Sequence, residues 1–273
     1  MAVEAIGARV SLRLARVAEF SRFAAATTAG VFAGVNTWAK WSRLRPLLFF
    51  IGTKSLPVLA LTGAFIGAIL AIEGFLQFKS IGQENRLGGV INISVVKQIG
   101  PVLAAVMLAG RVGCSLAAEL GTMRVTEQLD AMRAMATDPI RSLVAPRVVA
   151  CILMIPVLTV VSNLFGVLGG WVITTKFYDA NPAEYWRFTK AFITWFDVLN
   201  GLTKSVFFGG AIGLIACYKG FTCRAGAEGV GRATTEAFVA SFLAIIVLNL
   251  VLAKALNDID IMRMGGMVRS LIG

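Results

Sequence analysis

Five stretches of this chain, roughly 56–78, 91–113, 147–175, 198–219 and 234–256, are each long and apolar enough to cross a bilayer as a helix. About 20 residues cover the ~30 Å of hydrocarbon, and lipid supplies no partners for backbone N–H and C=O groups. That leaves helices as the spanning elements. Composition agrees: 57% of the 273 residues are hydrophobic and only 15% charged, where a soluble domain carries about 25%. A soluble enzyme, a disordered chain and a disulfide-stapled domain are excluded. The chain has no histidine, hence neither the commonest general base nor the commonest metal ligand. Cys114, Cys151, Cys217 and Cys223 are scattered without CxxC spacing and read as buried small hydrophobes, so no metal site and no cofactor is expected.

Outside the spans the chain is basic. Residues 1–45 form an amino-terminal region in which Arg9, Arg13 and Arg16 share one helical stripe and Val10, Leu14 and Val17 the next. That pattern suits a helix lying in the headgroup layer; an ordinary solvated helix is the alternative. Residues 23–42, with Trp38 and Trp41, read as further interfacial helix. The segment 177–197, with Tyr178, Tyr185, Trp186, Trp195 and Phe196, has the composition of a helix resting at an interface. With the amino terminus in the cytoplasm, about 16 of the 26 Lys and Arg residues fall inside. The positive-inside rule therefore predicts N-in and, with five spans, C-out. The charge is a topology signal and collects on no single soluble face, so no nucleic-acid partner is expected. Gly30/Gly34, Gly63/Gly67, Gly166/Gly170 and Gly209/Gly213 have the small-xxx-small spacing of close helix packing.

Between spans two and three, residues 116–137 read as a polar helix carrying Glu119, Arg124, Glu127, Asp130 and Arg133 interleaved with Leu120, Met123, Leu129 and Met132. On physics alone an ordinary loop helix is the better account than a partner-binding one. The wording of the sequence changes the balance. AGRVGCSLAAELGTMRVTEQLDAM at 109–132 closely resembles the signature of the MlaE/YrbE family, the permease subunits of MCE-type ABC lipid transporters. KQIGPVLAA at 97–105, DPIRSLVAPR at 138–147 and GRATTEAFV at 231–239 resemble the same family, and the resemblance spans roughly 55–255.

The resemblance implies an all-α integral membrane protein, with an amino-terminal interfacial helix, five transmembrane helices and a cytoplasmic coupling helix between spans two and three. It divides the chain into 1–45, a permease domain at 46–256 and a periplasmic tail at 257–273. It implies a homodimer in a bacterial inner membrane of Gram-negative type that moves phospholipids between the inner and outer membranes and so maintains outer-membrane lipid asymmetry. The partners implied are an ABC ATPase, a periplasmic MCE-domain protein and often a STAS-domain protein. On this view Glu119, Leu120, Met123, Arg124, Glu127 and Asp130 contact the ATPase. The chain departs from the family at Gln98, where many members carry an acid, at Glu73, where a neutral residue is usual, and in a tail that runs past the usual end. No GxxxxGK[ST] loop exists; Gly52, Thr53, Lys54 and Ser55 lack the upstream glycine, so ATP hydrolysis is expected in trans, with no catalytic residue here.

Glu73 and Lys97 stand inside spans one and two, where a charge costs roughly 2.5–3.5 kcal/mol at the helix centre. Antiparallel neighbours would bring them to similar depth. One reading is a pair that merely holds a hairpin. The other is a lipid site, with Lys97 and Gln98 meeting a phosphate, Gln77 and Phe78 at the level above, Leu70 in the apolar wall below, and Glu73 holding Lys97 when no lipid is present. Span five and the glycine faces of span one are the expected dimer contacts. The competing function is a membrane scaffold that anchors the ATPase and MCE ring while lipid passes elsewhere.

Overall fold

The computed structural model describes residues 2–33 and 41–272. Among them every regular element is helical. The helices are α1 (Ala2–Ala33), α2 (Trp41–Thr53), α3 (Leu56–Ser80), α4 (Leu87–Ser94), α5 (Gly100–Leu108), α6 (Cys114–Val125), α7 (Gln128–Ala134), α8 (Ala145–Val172), α9 (Pro182–Phe192), α10 (Trp195–Phe221) and α11 (Ala227–Ile272). Five helical runs are apolar and long enough to cross a membrane: Leu44–Ser80, Leu87–Val125, Ile140–Phe177, Trp195–Phe221 and Ala227–Arg263. The all-α, five-span expectation holds. Each run exceeds its hydropathy-defined core, the first because it takes in the apolar part of α2.

Span three, built on α8, is the centre of the bundle, with α3 packed along one side and α10 along the other. Span two runs diagonally. Its first part, α4, lies against α9 and α3, and its last part, α6, lies between α10 and α11. We call the end carrying α6 and α7 the near end and the end carrying α9 the far end.

The α3–α8 crossing is made by missing side chains. On α3 the buried residues Leu59, Gly63, Gly67, Ala71 and Phe75 recur every four positions. A Cβ on Gly67 would meet the Gly166 carbonyl, one on Gly63 the Ser162 carbonyl, and one on Gly169 the Ala64 carbonyl. Gly209 and Gly213 of α10 lie in the same way against Cys151 and Val148 of α8. Three of the four small-xxx-small pairs therefore serve packing within the chain. This corrects the expectation that the glycine face of span one contributes to a dimer: that face is occupied by α8.

Span two is interrupted by wide π turns at Val95–Ile99 and Ala109–Gly113, and span three is flanked by two more at Ile140–Val144 and Ile173–Phe177. Helix α1 is one continuous rod whose buried residues Phe23, Thr27 and Gly30 form a stripe. Phe23 meets Tyr218 edge-on at 5.4 Å and Phe221 in a tilted contact at 5.7 Å, and Gly30 lies against Arg141. Leu14 and Val17 face outward. The side chains of Arg9, Val10, Arg13, Arg16 and Trp41, and all of Gly34 and Trp38, lie outside the described residues.

Helix α9 is more than an amphipathic float. Asn181 caps it by accepting the Ala183 N–H at 2.9 Å. Tyr185 is buried against Gly88, donates its hydroxyl to Asn92 Oδ1 at 3.0 Å, and Asn92 in turn donates to Thr189 at 2.8 Å. Burial pushes the Tyr185 hydroxyl up to about 12, which keeps it a donor. Trp186 and Trp195 remain exposed.

Candidate functional site

The site begins with a proline. Pro101 lacks an N–H, so the carbonyl of Lys97, four residues earlier, loses its helical donor. The chain widens there into a π turn, in which the Gly100 N–H bonds the Val95 carbonyl. Such turns recur at functional sites because they free backbone groups and re-aim side chains. Span four approaches closely at this level, since Gly201 lies directly against the Val96 carbonyl and Pro101. One turn further along α10, Lys204, only 1% exposed, donates its ammonium to the freed Lys97 carbonyl at 3.3 Å and to Gln98 Oε1 in a short bond.

Asp197, one turn before Asn200 and two before Lys204, completes this face of α10. Its Oδ2 accepts the Thr194 N–H at 3.0 Å and the Thr194 hydroxyl at 2.6 Å, forming the capping box that starts the helix. Its Oδ1 lies 3.2 Å from the Lys97 ammonium. A second carboxylate, Asp260 of α11, lies 3.6 Å from the same ammonium. Asn200, buried between Asp197 and Lys204 in sequence, has no partner for either amide atom among the described residues. The acceptors of Lys204 are both uncharged. Around this contact the ammonium groups of Lys97 and the buried Lys204 thus stand with the carboxylates of Asp197 and Asp260.

Lys97 and Gln98, read from the sequence as contacts for a lipid phosphate, both belong to this polar cluster. Glu73 does not hold Lys97, which is a correction. It falls two residues from both Ala71 and Phe75, the buried side of α3, and so points outward on the opposite face. Gln77 is exposed too. Leu70 is half-buried against the cluster of Ala71, Phe75, Leu87, Ile91 and Val95. Phe78 lines a shallow groove of about 530 Å³ with Ile81, Gln83, Arg86, Val90 and Phe192. Sequence reasoning missed Asp197, Lys204 and Asp260. The Thr194–Asp197 spacing is a capping-box signal, and Lys204 lies inside the apolar stretch 198–219, where a charge is as costly as at Lys97. Nothing in the sequence alone tied Asp260 to span two.

At the near end, the segment read as one helix is two. Glu127 has φ 59, a left-handed conformation that breaks α6 from α7. Arg124 clasps Asp130 across the break with bonds of 2.9 and 2.8 Å, and Arg133 adds a third at 3.1 Å. Glu119 is exposed and pairs with Arg147 of α8 at 3.3 Å. Met123 is half-buried. Leu120 is fully buried with Phe23, Val144, Val148 and Cys217. It belongs to the protein's own core and drops out of the candidate partner contacts. Lys219 and Arg232 both bond Glu236 at 2.9 Å, joining the end of α10 to the start of α11.

Residues 47–255 match the model of the Permease MlaE family. The chain belongs to the MlaE permease family. It is 44% identical over 207 residues to a probable ABC transporter permease protein of Rickettsia conorii, covering 76% of this chain and 80% of that one. It is 44% identical over 203 residues to a probable ABC transporter permease protein of Synechocystis, covering 74% and 77%. It is 34% identical over 203 residues to the intermembrane phospholipid transport system permease protein MlaE of Haemophilus influenzae, covering 74% and 78%. This MlaE-family chain is accordingly a multi-pass membrane protein of permease type. The four motifs of the resemblance surround two places in the fold: KQIGPVLAA forms the π turn of the polar cluster, and the other three supply the near-end ion pairs.

Proposed function

We infer that this chain is the membrane-spanning subunit of an ABC transporter that moves phospholipids between the inner and outer membranes of a bacterial envelope. The observation that carries this reading is the far-end cluster, in which two lysines, Lys97 and the buried Lys204, meet within a largely apolar bundle. A phospholipid needs that combination: a cation for its phosphate and dry walls for its acyl chains. Leu70 and Phe78, at the seam of α3 and α4, belong to the apolar wall. The phospholipid named for the Haemophilus relative supports the same substrate class.

The chain works as a homodimer on this reading. An ABC ATPase acts as a pair of subunits, and one chain offers one coupling segment. Span five is the face available for the second copy or for lipid: Ala233, Ala237, Ser241 and Ile245 are buried on one narrow stripe, while Val239, Leu243, Val247 and Leu250 face outward. The amino terminus and α6–α7 are cytoplasmic, α9 and the end of α11 periplasmic. Glu127 at the bend, with Glu119, Met123, Arg124 and Asp130 around it, meets the ATPase, and the far end meets an MCE-domain protein; a STAS-domain protein completes some such assemblies.

Bound phospholipid per intact complex tests the path. Lys97→Ala should lower it with the complex still assembled; unchanged occupancy would favour the scaffold reading. Impermeant thiol labelling in a Cys-free background tests the orientation, with Ser270→Cys modified and Thr122→Cys protected. Glu127→Lys with Arg124→Glu should lower ATPase association or stimulation, and wild-type coupling in that double variant would remove α6–α7 as the contact.

A further inference from the structure

The end of α11 reaches back over the polar cluster at two points. Asp260 lies 3.6 Å from Lys97, and the Arg263 guanidinium sits 5.3 Å from the centre of the Phe196 ring, next to Asp197. The continuation of span five is thereby held across the far ends of spans two and four. This arrangement changes the charge of the site. Lys97 and Lys204 against Asp197 leave one positive charge among the groups in contact; adding Asp260 balances these four, with Arg263 beyond them at the Phe196 ring.

We propose that Asp260 makes the site selective for phospholipids whose head carries an amine, over those with a purely anionic head. This rests on the lipid-path reading above. A phosphate that approaches Lys97 and Lys204 must share Lys97 with Asp260. A phosphoethanolamine head brings its own ammonium, two carbons from the phosphate ester oxygen, which takes over as the partner of Asp260. The exchange keeps every charge paired. A phosphoglycerol head brings no cation, so its phosphate and the Asp260 carboxylate compete for one ammonium and repel each other. Asp197 cannot play this part, because its second oxygen is committed to the Thr194 cap. Asp260, on the outermost helix and partly exposed, has room to turn toward a ligand.

The experiment uses the full transporter complex in vesicles of equal parts phosphatidylethanolamine and phosphatidylglycerol, extracted and washed before bound lipid is quantified by mass spectrometry. The wild-type complex should retain more of the ethanolamine lipid than the vesicles supply. Asp260→Asn should shift the bound ratio toward the glycerol lipid by roughly threefold, the size of one partly screened charge interaction. Asp258→Asn, an exposed carboxylate on the same helix, should leave the ratio unchanged. Lipid lost in Lys97→Ala, with one bound ratio shared by wild type and Asp260→Asn, overturns the selectivity while leaving the path intact. Lipid retained equally in Lys97→Ala removes the path, and the selectivity with it.

Discussion

Two seams of the bundle are built in contrasting ways. Span three is joined to α3 through Gly63, Gly67, Gly166 and Gly169, with backbone on backbone and no charge involved. One helix further on, α10 and span two, packed on apolar side chains along most of their length, meet at the far end through the polar groups of Lys97, Gln98, Asp197 and Lys204. The glycine seam has one geometry: close approach is its only source of attraction, and lipid offers no hydrophobic drive to replace it. The charged seam has several near-equivalent pairings, because an ammonium can exchange one oxygen for another. The first suits a rigid scaffold and the second a site whose partners change.

The comparison breaks first at the glycine seam if it is wrong. Gly67→Val would push its side chain into the Gly166 carbonyl, which cannot move without separating α3 from α8. Overpacking costs about 1–3 kcal/mol where side chains can yield, and more where only backbone is available. The expected outcome is loss of monodisperse protein on size-exclusion chromatography. Gly231→Ala, at a position with open space around it, is the control and should elute as wild type. A Gly67→Val protein of normal yield and melting temperature would mean that α3 and α8 are not in backbone contact.

The next effect is at the charged seam. Asp197→Asn keeps an acceptor for the Thr194 cap but takes the nearer of its two counter-charges from Lys97, leaving Asp260. Removing one partner of a fully buried pair costs about 3–5 kcal/mol, and the part-exposed Lys97 with a second carboxylate should lose less, about 1–3 kcal/mol. Adding Lys97→Met should recover most of the loss, and the double-mutant cycle measures it by thermal unfolding in detergent. Equal destabilisation in the single and double variants would show that Asp197 acts only as a cap. Comparable in size, Gln98→Leu deprives Lys204 of one of its two acceptors and should cost about 1–3 kcal/mol. Lys204→Met added to it should again recover stability, and its failure to do so would point to a packing role for Gln98.

What the sequence disclosed of these two seams follows from what each kind of signal measures. Hydropathy counts apolar residues along the chain, so the five spans were legible. Gly63/Gly67 and Gly166/Gly170 were legible as close contacts but not as contacts with each other, because spacing names a face and no partner. Depth placed Glu73 level with Lys97, yet depth says nothing of rotation, and Glu73 stands on the side of α3 opposite Ala71 and Phe75. The break at Glu127 was invisible for another reason: the left-handed conformation is advertised by Gly or Asn, and glutamate gives no such sign. Leu120 was legible as apolar and helical, and only the packing of α1 and α8 around it decided that it faces inward. The motif resemblance carried the family because it concerns 24 residues in a fixed order, a signal independent of geometry.

The smallest effect separates two carboxylates that share one lysine. Asp197 lies 3.2 Å from Lys97 with 5% of its side chain exposed, whereas Asp260 lies 3.6 Å away with 18% exposed. The longer pair is nearer to solvent, sits at the end of the outermost helix, and leaves Lys97 with Asp197 when it is lost. Asp260→Asn should therefore cost no more than about 1 kcal/mol, the range of partly exposed ion pairs, and that cost should shrink as salt is raised. The Asp197→Asn penalty should hold nearly constant over the same salt range, because a buried pair is poorly screened. Melting curves of both variants at low and high ionic strength make the comparison. If Asp260→Asn proved as damaging as Asp197→Asn, and equally insensitive to salt, the end of α11 would be a fixed part of the bundle and no movable partner for a ligand. A small, salt-dependent loss is what a displaceable counter-ion requires, since a lipid phosphate can only displace a carboxylate that the fold does not depend on.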